Sequence, residues 1–343
     1  MFSVTNDRGF VPQSEQFEGR DMVGEDIKAY KIIHTNDFAY NPARINVGSI
    51  AMYTGERPCM ISSLYVCFKT TKEVNNEWLM QLLKTPKMNY YYNVNGEGGV
   101  RVYLFYPNFA RIRMSIPKIE EQKKIAKLLN LIDERIATQN KIIEDLKKLK
   151  CAIIEKVYSE IQGKEYSYGQ LFDVVNERNK QMEYSNILSA SQEKGMVNRD
   201  DLNLDIQFER SNINTYKIVK KGDYVIHLRS FQGGFAFSDK LGVCSPAYTI
   251  LRPNSILEYG YLSNYFTSQR FIKSLVLVTY GIRDGRSINV EEWLRMKITI
   301  PPKEHQQYIV KVIGTFERKI EDEEAYAAQL SKQKQYLLRQ MFI

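Results

Sequence analysis

Between residues 116 and 161 the apolar positions recur in alternating gaps of four and three. Ile125, Leu129, Ile132, Ile136, Gln139, Ile143, Leu146, Lys150, Ile153 and Val157 fall in that order. Such gaps are the a and d positions of a heptad and predict one long helix with an apolar seam. Pro117 stands near its start, where a missing N–H costs least. No further Pro or Gly occurs until Gly163. At ~1.5 Å per residue the stretch predicts a rod on the order of 60 Å long. That is far beyond the ~11–12 residues of an average helix, so the seam needs a partner.

The same chain supplies it. Residues 300–343 repeat the pattern at an offset of 184 (309 − 125), giving Ile309, Ile313, Phe316, Ile320, Glu323, Ala327, Leu330, Lys334, Leu337 and Met341. Even the polar interruptions return, Gln139 as Glu323 and Lys150 as Lys334. Pro117 and Gln122 are matched by Pro301 and Gln306.

The stretches before the two helices repeat as well. FSVTNDRGFV at 2–11 faces LSASQEKGMV at 188–197, each a strand, a turn before Gly, and a resumed apolar pair. YKIIHTNDFAYN from Tyr30 faces YKIVKKGDYVIH from Tyr216, with Asp37 and Asp223 as turn residues. A helix-like stretch follows in each copy, 78–84 and 259–277. Then come Gly-Arg loops, GEGGVR and GIRDGR, and a short closing strand ending in Ile-Pro. Tyr90, Tyr91 and Tyr92 suit a sheet face, and 163–169 a loop leaving the first helix. The second copy carries 164–187 before its first repeated strand, whereas the first copy begins at that strand and is expected to be shortened. The fold class is therefore α+β. Two mixed domains, 1–116 and 163–300, alternate with long helices, 117–162 and 301–343. Antiparallel pairing of the helices would relate the halves by a pseudo-two-fold axis.

Composition narrows the function. A net charge of +8 and a pI near 9.0 favour an acidic partner, nucleic acid or an anionic surface. No apolar run approaches the ~18 residues of a membrane span, so a membrane partner is disfavoured. The 4 cysteines form no C-x-x-C pair and suit a reducing, cytoplasmic setting. The 3 histidines are scattered without metal-ligand spacing. No phosphate-binding P-loop occurs. Asn41-Pro42-Ala43-Arg44 lacks the second Pro and the aromatic of an amino-methyltransferase motif. Metal and catalytic sites are thus expected to be absent.

Pro117, Glu121, Gln122, Ile125 and Ala126, with Ile132-Asp133 and the LKKLK run at 146–150, resemble the central conserved region of type I restriction–modification specificity subunits. The second long helix is similar to that family's C-terminal conserved region, with His305 before Gln306 and Phe316-Glu317 in place of Ile-Asp. The preceding domains resemble its target-recognition domains through Tyr216, Gly222, Asp223, Gly233, Gly234, Ser245, Pro246 and Tyr248. The resemblance covers essentially the whole chain. It implies a non-catalytic reader of a bipartite site in double-stranded DNA. It also implies docking to two methyltransferase subunits, with restriction subunits able to join. S-adenosylmethionine, ATP and Mg would belong to those partners, with no cofactor in this chain.

Candidate DNA contacts are the Gly-Arg loops, Arg101, Arg283 and Arg286 with Tyr280 beside them. Gly permits close backbone approach and Arg grips guanine or phosphate. Arg44 and Asn46 match Ser230 and Gln232 by repeat position, with Arg229 adjacent, and these loops carry side chains that suit base edges. Two other readings stand beside this one. A coiled-coil scaffold that never touches DNA would bind with little salt dependence, and a stand-alone DNA-modifying enzyme would act without partners.

Overall fold

The computed structural model describes residues 1–16, 27–99, 102–191, 194–201, 210–227, 234–280 and 287–342. The chain divides into unit 1, Met1–Lys141 with Ala325–Ile343, and unit 2, Ile142–Glu324.

Unit 1 opens with an antiparallel hairpin, β1 (Phe2–Thr5) and β2 (Gly9–Pro12), followed by the short α1 (Gln13–Gln16). Then come β3 (Lys31–Ile33), β4 (Phe38–Tyr40), β5 (Ile50–Met52), β6 (Cys59–Ile61) and β7 (Val66–Phe68). They form a sheet of order β2-β1-β6-β3 and a second of order β5-β4-β7. Asn36 turns the chain between β3 and β4 at φ +71, a left-handed conformation that Asn tolerates better than most residues. The Asp37 carboxylate accepts the His34 N–H at 2.9 Å and closes that turn. Three helices follow, α2 (Asn76–Leu83), α3 (Pro86–Asn95) and α4 (Tyr106–Ala110). Asn75 and Thr85 cap the first two by accepting the N–H of Trp78 and Met88. Tyr90, Tyr91 and Tyr92 therefore lie on a helix, not on a sheet face. Thr85 and Pro86 start that helix, and its one-turn spacing buries Met88 and Tyr92 together. The long helix α5 (Ile119–Ser159) leaves this domain.

Unit 2 repeats the plan. β8 (Lys164–Ser167) and β9 (Phe172–Val175) precede the hairpin β10 (Leu188–Ser191) and β11 (Gly195–Asn198). β12 (Lys217–Val219), β13 (Tyr224–Ile226), β14 (Phe235–Phe237), β15 (Gly242–Cys244) and β16 (Thr249–Pro253) correspond in order to β3 through β7. Gly222, at φ +93, stands where unit 1 has Asn36. The register carries over too: Phe38 pairs with Phe68, and Tyr224 with Leu251. After α6 (Gln269–Ser274), the short pair β17 (Thr279–Tyr280) and β18 (Ser287–Ile288), and α7 (Val290–Arg295), the domain closes with β19 (Lys297–Ile300). The second long helix is α8 (Lys303–Met341).

Three local expectations change. Residues 164–167 of the supposed loop are a strand, because β8 pairs antiparallel with β19. The helix-like stretch 259–277 breaks into turns, 3-10 segments and α6. The closing strand expected in the first copy does not form at 113–116, since among the described residues unit 1 offers no counterpart of β8 to pair with it.

Within each unit the long helices run antiparallel. In unit 1, Ile125, Ala126 and Leu129 from the start of α5 share a core with Leu337, Met341 and Phe342 from the end of the chain. In unit 2, Ile154, Val157 and Tyr158 share one with Ile309 and Ile313. Of the seam positions, Leu129, Ile143, Ile309, Ile313, Ile320 and Leu330 are buried. Ile125, Ile132, Ile136, Leu146, Ile153, Phe316 and Leu337 are half-buried.

A buried glutamine fastens each helix to its domain. The Gln122 side chain donates to the carbonyls of Glu73 and Pro117 and accepts the Asn75 N–H. Gln306 donates to Ile256 and Pro301 and accepts the Glu258 N–H. Both are at most 1% exposed, so all these bonds form away from water, where leaving one unmade would be costly.

Candidate nucleic-acid interface

The Gly-Arg loops spring from matching frames. In unit 1, Glu97 and Tyr103 exchange two backbone hydrogen bonds of 2.8 Å, bracketing the loop. In unit 2, Thr279 pairs with Ile288 and Tyr280 with Ser287. Arg101, Arg283 and Arg286, and likewise Arg229 and Gln232, lie outside the described residues. Tyr280 is exposed, and its phenol donates to Glu292 at 2.7 Å. That bond and the carboxylate charge hold the phenol proton on, raising its pKa above the ordinary value.

Arg44 and Asn46 occupy a tight connection between β4 and β5. The Arg44 carbonyl accepts from Val47 and Ser49, and the Asn41 side chain accepts the Ala43 N–H. This fixes the backbone while the Arg44 side chain stays exposed. The next turn is closed by Gly48 at φ +101, a conformation that favours glycine.

Asn46 reaches α3. Its Nδ2 donates to Asn93 Oδ1 at 3.1 Å, and Asn93 Nδ2 donates to the Asn89 carbonyl at 2.8 Å. Asn89 and Asn93 are exposed, as are Lys87 and Tyr90 on the same helix. The sequence reading overlooked this amide ladder. Its signal is a pair of asparagines four apart, legible only once 86–95 is known to be helical. Amide side chains offer a donor and an acceptor side by side, the pattern that matches adenine N6 and N7. An exposed Arg beside them adds a cation for phosphate or guanine.

In unit 2 the matching short helix α6 is capped by Ser268, as α3 is by Thr85. It exposes Arg270 and Lys273 instead of amides. Arg270 matches the exposed Lys87 of α3, whereas Ile272 and Val276 stand where Asn89 and Asn93 do, so the amides have no counterpart there. Among the described residues no cluster of His, Cys, Asp and Glu could hold a metal, and no helix is long and apolar enough to cross a membrane.

Comparison with known proteins places this arrangement. The family described as "Type I restriction modification DNA specificity domain" matches residues 25–148 and 163–332. A Methanocaldococcus jannaschii protein provisionally named the specificity subunit of type I restriction enzyme MjaX is 21% identical, over 93% of this chain and 80% of its own length. The MjaVIII specificity subunit of the same organism is 29% identical over 37% of this chain and 29% of its own length. A chain from a solved type I R-M system, in a study of complex assembly and conformational transition, superposes with a TM-score of 0.60 at 15% identity, covering 91% of this chain and 83% of that one. The S subunit from M. genitalium superposes at 0.51, 13% identical, covering 91% and 84%. The chain belongs to the type I restriction–modification specificity family, as a non-catalytic subunit whose two α+β domains are target-recognition domains linked by long helices.

Proposed function

We propose that this chain reads a bipartite DNA target, one half-site per domain, and carries methyltransferase subunits to it. The observation that supports this most is the repeated loop frame with unlike neighbours. Glu97–Tyr103 and Tyr280–Ser287 hold corresponding loops. Unit 1 carries an Asn46–Asn93 amide ladder, whereas unit 2 has Ile272 and the exposed Val276 at the positions that match Asn89 and Asn93. Two similar frames with different side chains suit two different half-sites. Two methyltransferase subunits, and restriction subunits joining them, would do the chemistry in the cytoplasm. S-adenosylmethionine, ATP and Mg would be bound by those partners.

The test is a genome-wide map of methylated adenine with the gene present and deleted, in a host carrying the methyltransferase partner. Loss of one split, asymmetric motif on deletion is the expected result. An unchanged map, with the protein expressed and bound to its partner, overturns the reading.

A further inference from the structure

The hairpins β1–β2 and β10–β11 end in the same tip. Thr5 pairs with Gly9, and Ser191 with Gly195. Gly9 and Gly195 close the turns at φ +67 and +69, the left-handed conformation that ends a three-residue hairpin loop. The Thr5 hydroxyl accepts the Arg8 N–H at 3.1 Å, and the Ser191 hydroxyl accepts the Lys194 N–H at 3.3 Å. Arg8 and Lys194 are both exposed. The sequences run Asn6-Asp7-Arg8-Gly9 and Gln192-Glu193-Lys194-Gly195, an amide, an acid, a cation and a glycine each time.

Each hairpin is seated on the strand that leaves a candidate DNA loop. A methyl group on Gly9 would come within 3.3 Å of Ala51 on β5, and one on Gly195 within 2.4 Å of the Phe237 carbonyl on β14. Ala51 and Phe237 are repeat partners. In unit 1 the buried Ser49 hydroxyl donates to the Val4 carbonyl at 2.8 Å, and the Tyr65 hydroxyl accepts the Val4 N–H at 3.2 Å. A side chain at Gly48 would meet Asn6 at 3.6 Å, so the tip lies beside the connection that carries Arg44 and Asn46. In unit 2 the segment before the hairpin meets its base, where the Arg199 N–H donates to the Ile187 carbonyl at 2.9 Å, and leaves Lys194 exposed. The Asp7 carboxylate is turned onto the tip's own backbone, whose N–H groups hold its pKa below the ordinary value.

We propose that the two hairpin tips clamp DNA phosphates, with Arg8 in unit 1 and Lys194 in unit 2 as the gripping cations. This contact rests on the DNA reading proposed above. Next to the tips the chemistry of the two copies diverges, Asn89 and Asn93 being matched by Ile272 and Val276, while the tips themselves keep the same order of residue types. A contact that stays the same beside side chains that differ suits the part of a duplex that is the same at both half-sites, its phosphate backbone. The tips hold the register of each domain on the duplex and leave discrimination between bases to the loops and α3.

The test uses the full chain assembled with its methyltransferase subunits and two duplexes, one carrying the motif this system methylates and one of unrelated sequence. Binding is measured over a series of salt concentrations. Arg8→Ala and Lys194→Ala should each weaken binding to both duplexes by the same factor, about eightfold near 0.1 M salt, and reduce the salt slope by about 0.9. The double variant should lose about 1.8 of slope, with the methylated motif unchanged. Arg8→Lys, which keeps the charge, should keep the slope. Equal melting temperatures in parent and variants show that the exposed substitutions leave the fold intact. Three results overturn the proposal: an unchanged slope in the folded double variant; weakened binding to the motif duplex alone, which would make the tips base readers; or loss of the methyltransferase subunits with the slope for DNA unchanged, which would turn the tips toward the protein partner. A parent complex that binds neither duplex would overturn the DNA reading as well, so the two failures are told apart by the parent.

Discussion

Lys150 and Lys334 make the same ion pair in the two units. Lys150 Nζ lies 3.3 Å from Glu317, and Lys334 Nζ 2.6 Å from Asp133. Glu317 and Asp133 are themselves repeat partners, 184 residues apart (317 − 133). A lysine in each apolar seam thus meets an acid on the antiparallel helix.

Both pairs are part-exposed, so each contributes ~0–1 kcal/mol. A β-branched apolar side chain at either position would bury more area, worth about 1 kcal/mol. Lys150→Ile with Lys334→Ile should therefore leave the chain as stable as the parent or slightly more stable in urea. Asp133→Lys should lower stability by about 1 kcal/mol, since it sets a like charge against Lys334 near Lys84, a lysine whose pKa burial and Lys334 already push down. A marked fall in the double isoleucine variant would show that the ion pairs outweigh seam packing.

Gln122 and Gln306 should be far less tolerant. Gln306→Leu strands the Glu258 N–H and two carbonyls, a loss of about 2–4 kcal/mol. Gln306→Glu is the sharper probe. A carboxylate there faces two carbonyl oxygens in a buried site, so its folded pKa must rise above the ~4.3 of an open chain. The destabilisation should grow as pH rises above that value and fade on acidification. Thermal melts at pH 4 and pH 7 measure the difference, and equal penalties at both would contradict it.

Arg252 holds Asp223 in a fork, and the Asp223 side chain is 2% exposed. Arg252→Met leaves that carboxylate buried without its cation and should cost about 2–4 kcal/mol. Glu177 titrates in the opposite sense from a buried acid. Hydrogen bonds from Arg252 and Lys220 hold its pKa below the ordinary 4.5. Its contribution is complete above the unfolded value and is lost as pH falls through the lower folded one. Glu177→Gln should therefore lower stability near neutrality, by ~0–1 kcal/mol for a part-exposed group, and change little at acid pH, flattening the acid limb of the stability curve.

Arg44→Ala and Asn93→Ala separate gripping from reading. If Arg44 neutralises a phosphate, its loss should lower affinity for all sequences and reduce the salt slope by about 0.9. Asn93→Ala, which also frees Asn46, should relax discrimination at one base pair by about 1–3 kcal/mol. Methylation-motif sequencing of each variant in the assembled complex reads both effects.

The long helices were legible because a heptad is a local pattern, and the repeat made their pairing visible before any contact was known. The Lys150–Glu317 pair was not, because it requires the antiparallel register. β8 was missed for a related reason. Lys-Glu-Tyr-Ser between glycines has the look of a loop, and it is a strand only because 297–300 lies alongside. The Asn46–Asn93 ladder needed both a helix at 86–95 and the turn at Gly48, and the tyrosine run there pointed toward a sheet instead.

The closure of unit 1 by the far end of the chain bears on how the protein is made. Phe342 packs against Trp78, with ring centroids 5.7 Å apart, in a core whose other fully buried members all precede residue 142. During synthesis the first domain must wait, its seam uncovered, until α8 has been translated to its last turns. Unit 2 is contiguous and suffers no such delay. A released chain ending near residue 324 would therefore keep every segment of unit 2 but leave unit 1 without its closing helix, and that earlier domain is where chaperones should be needed.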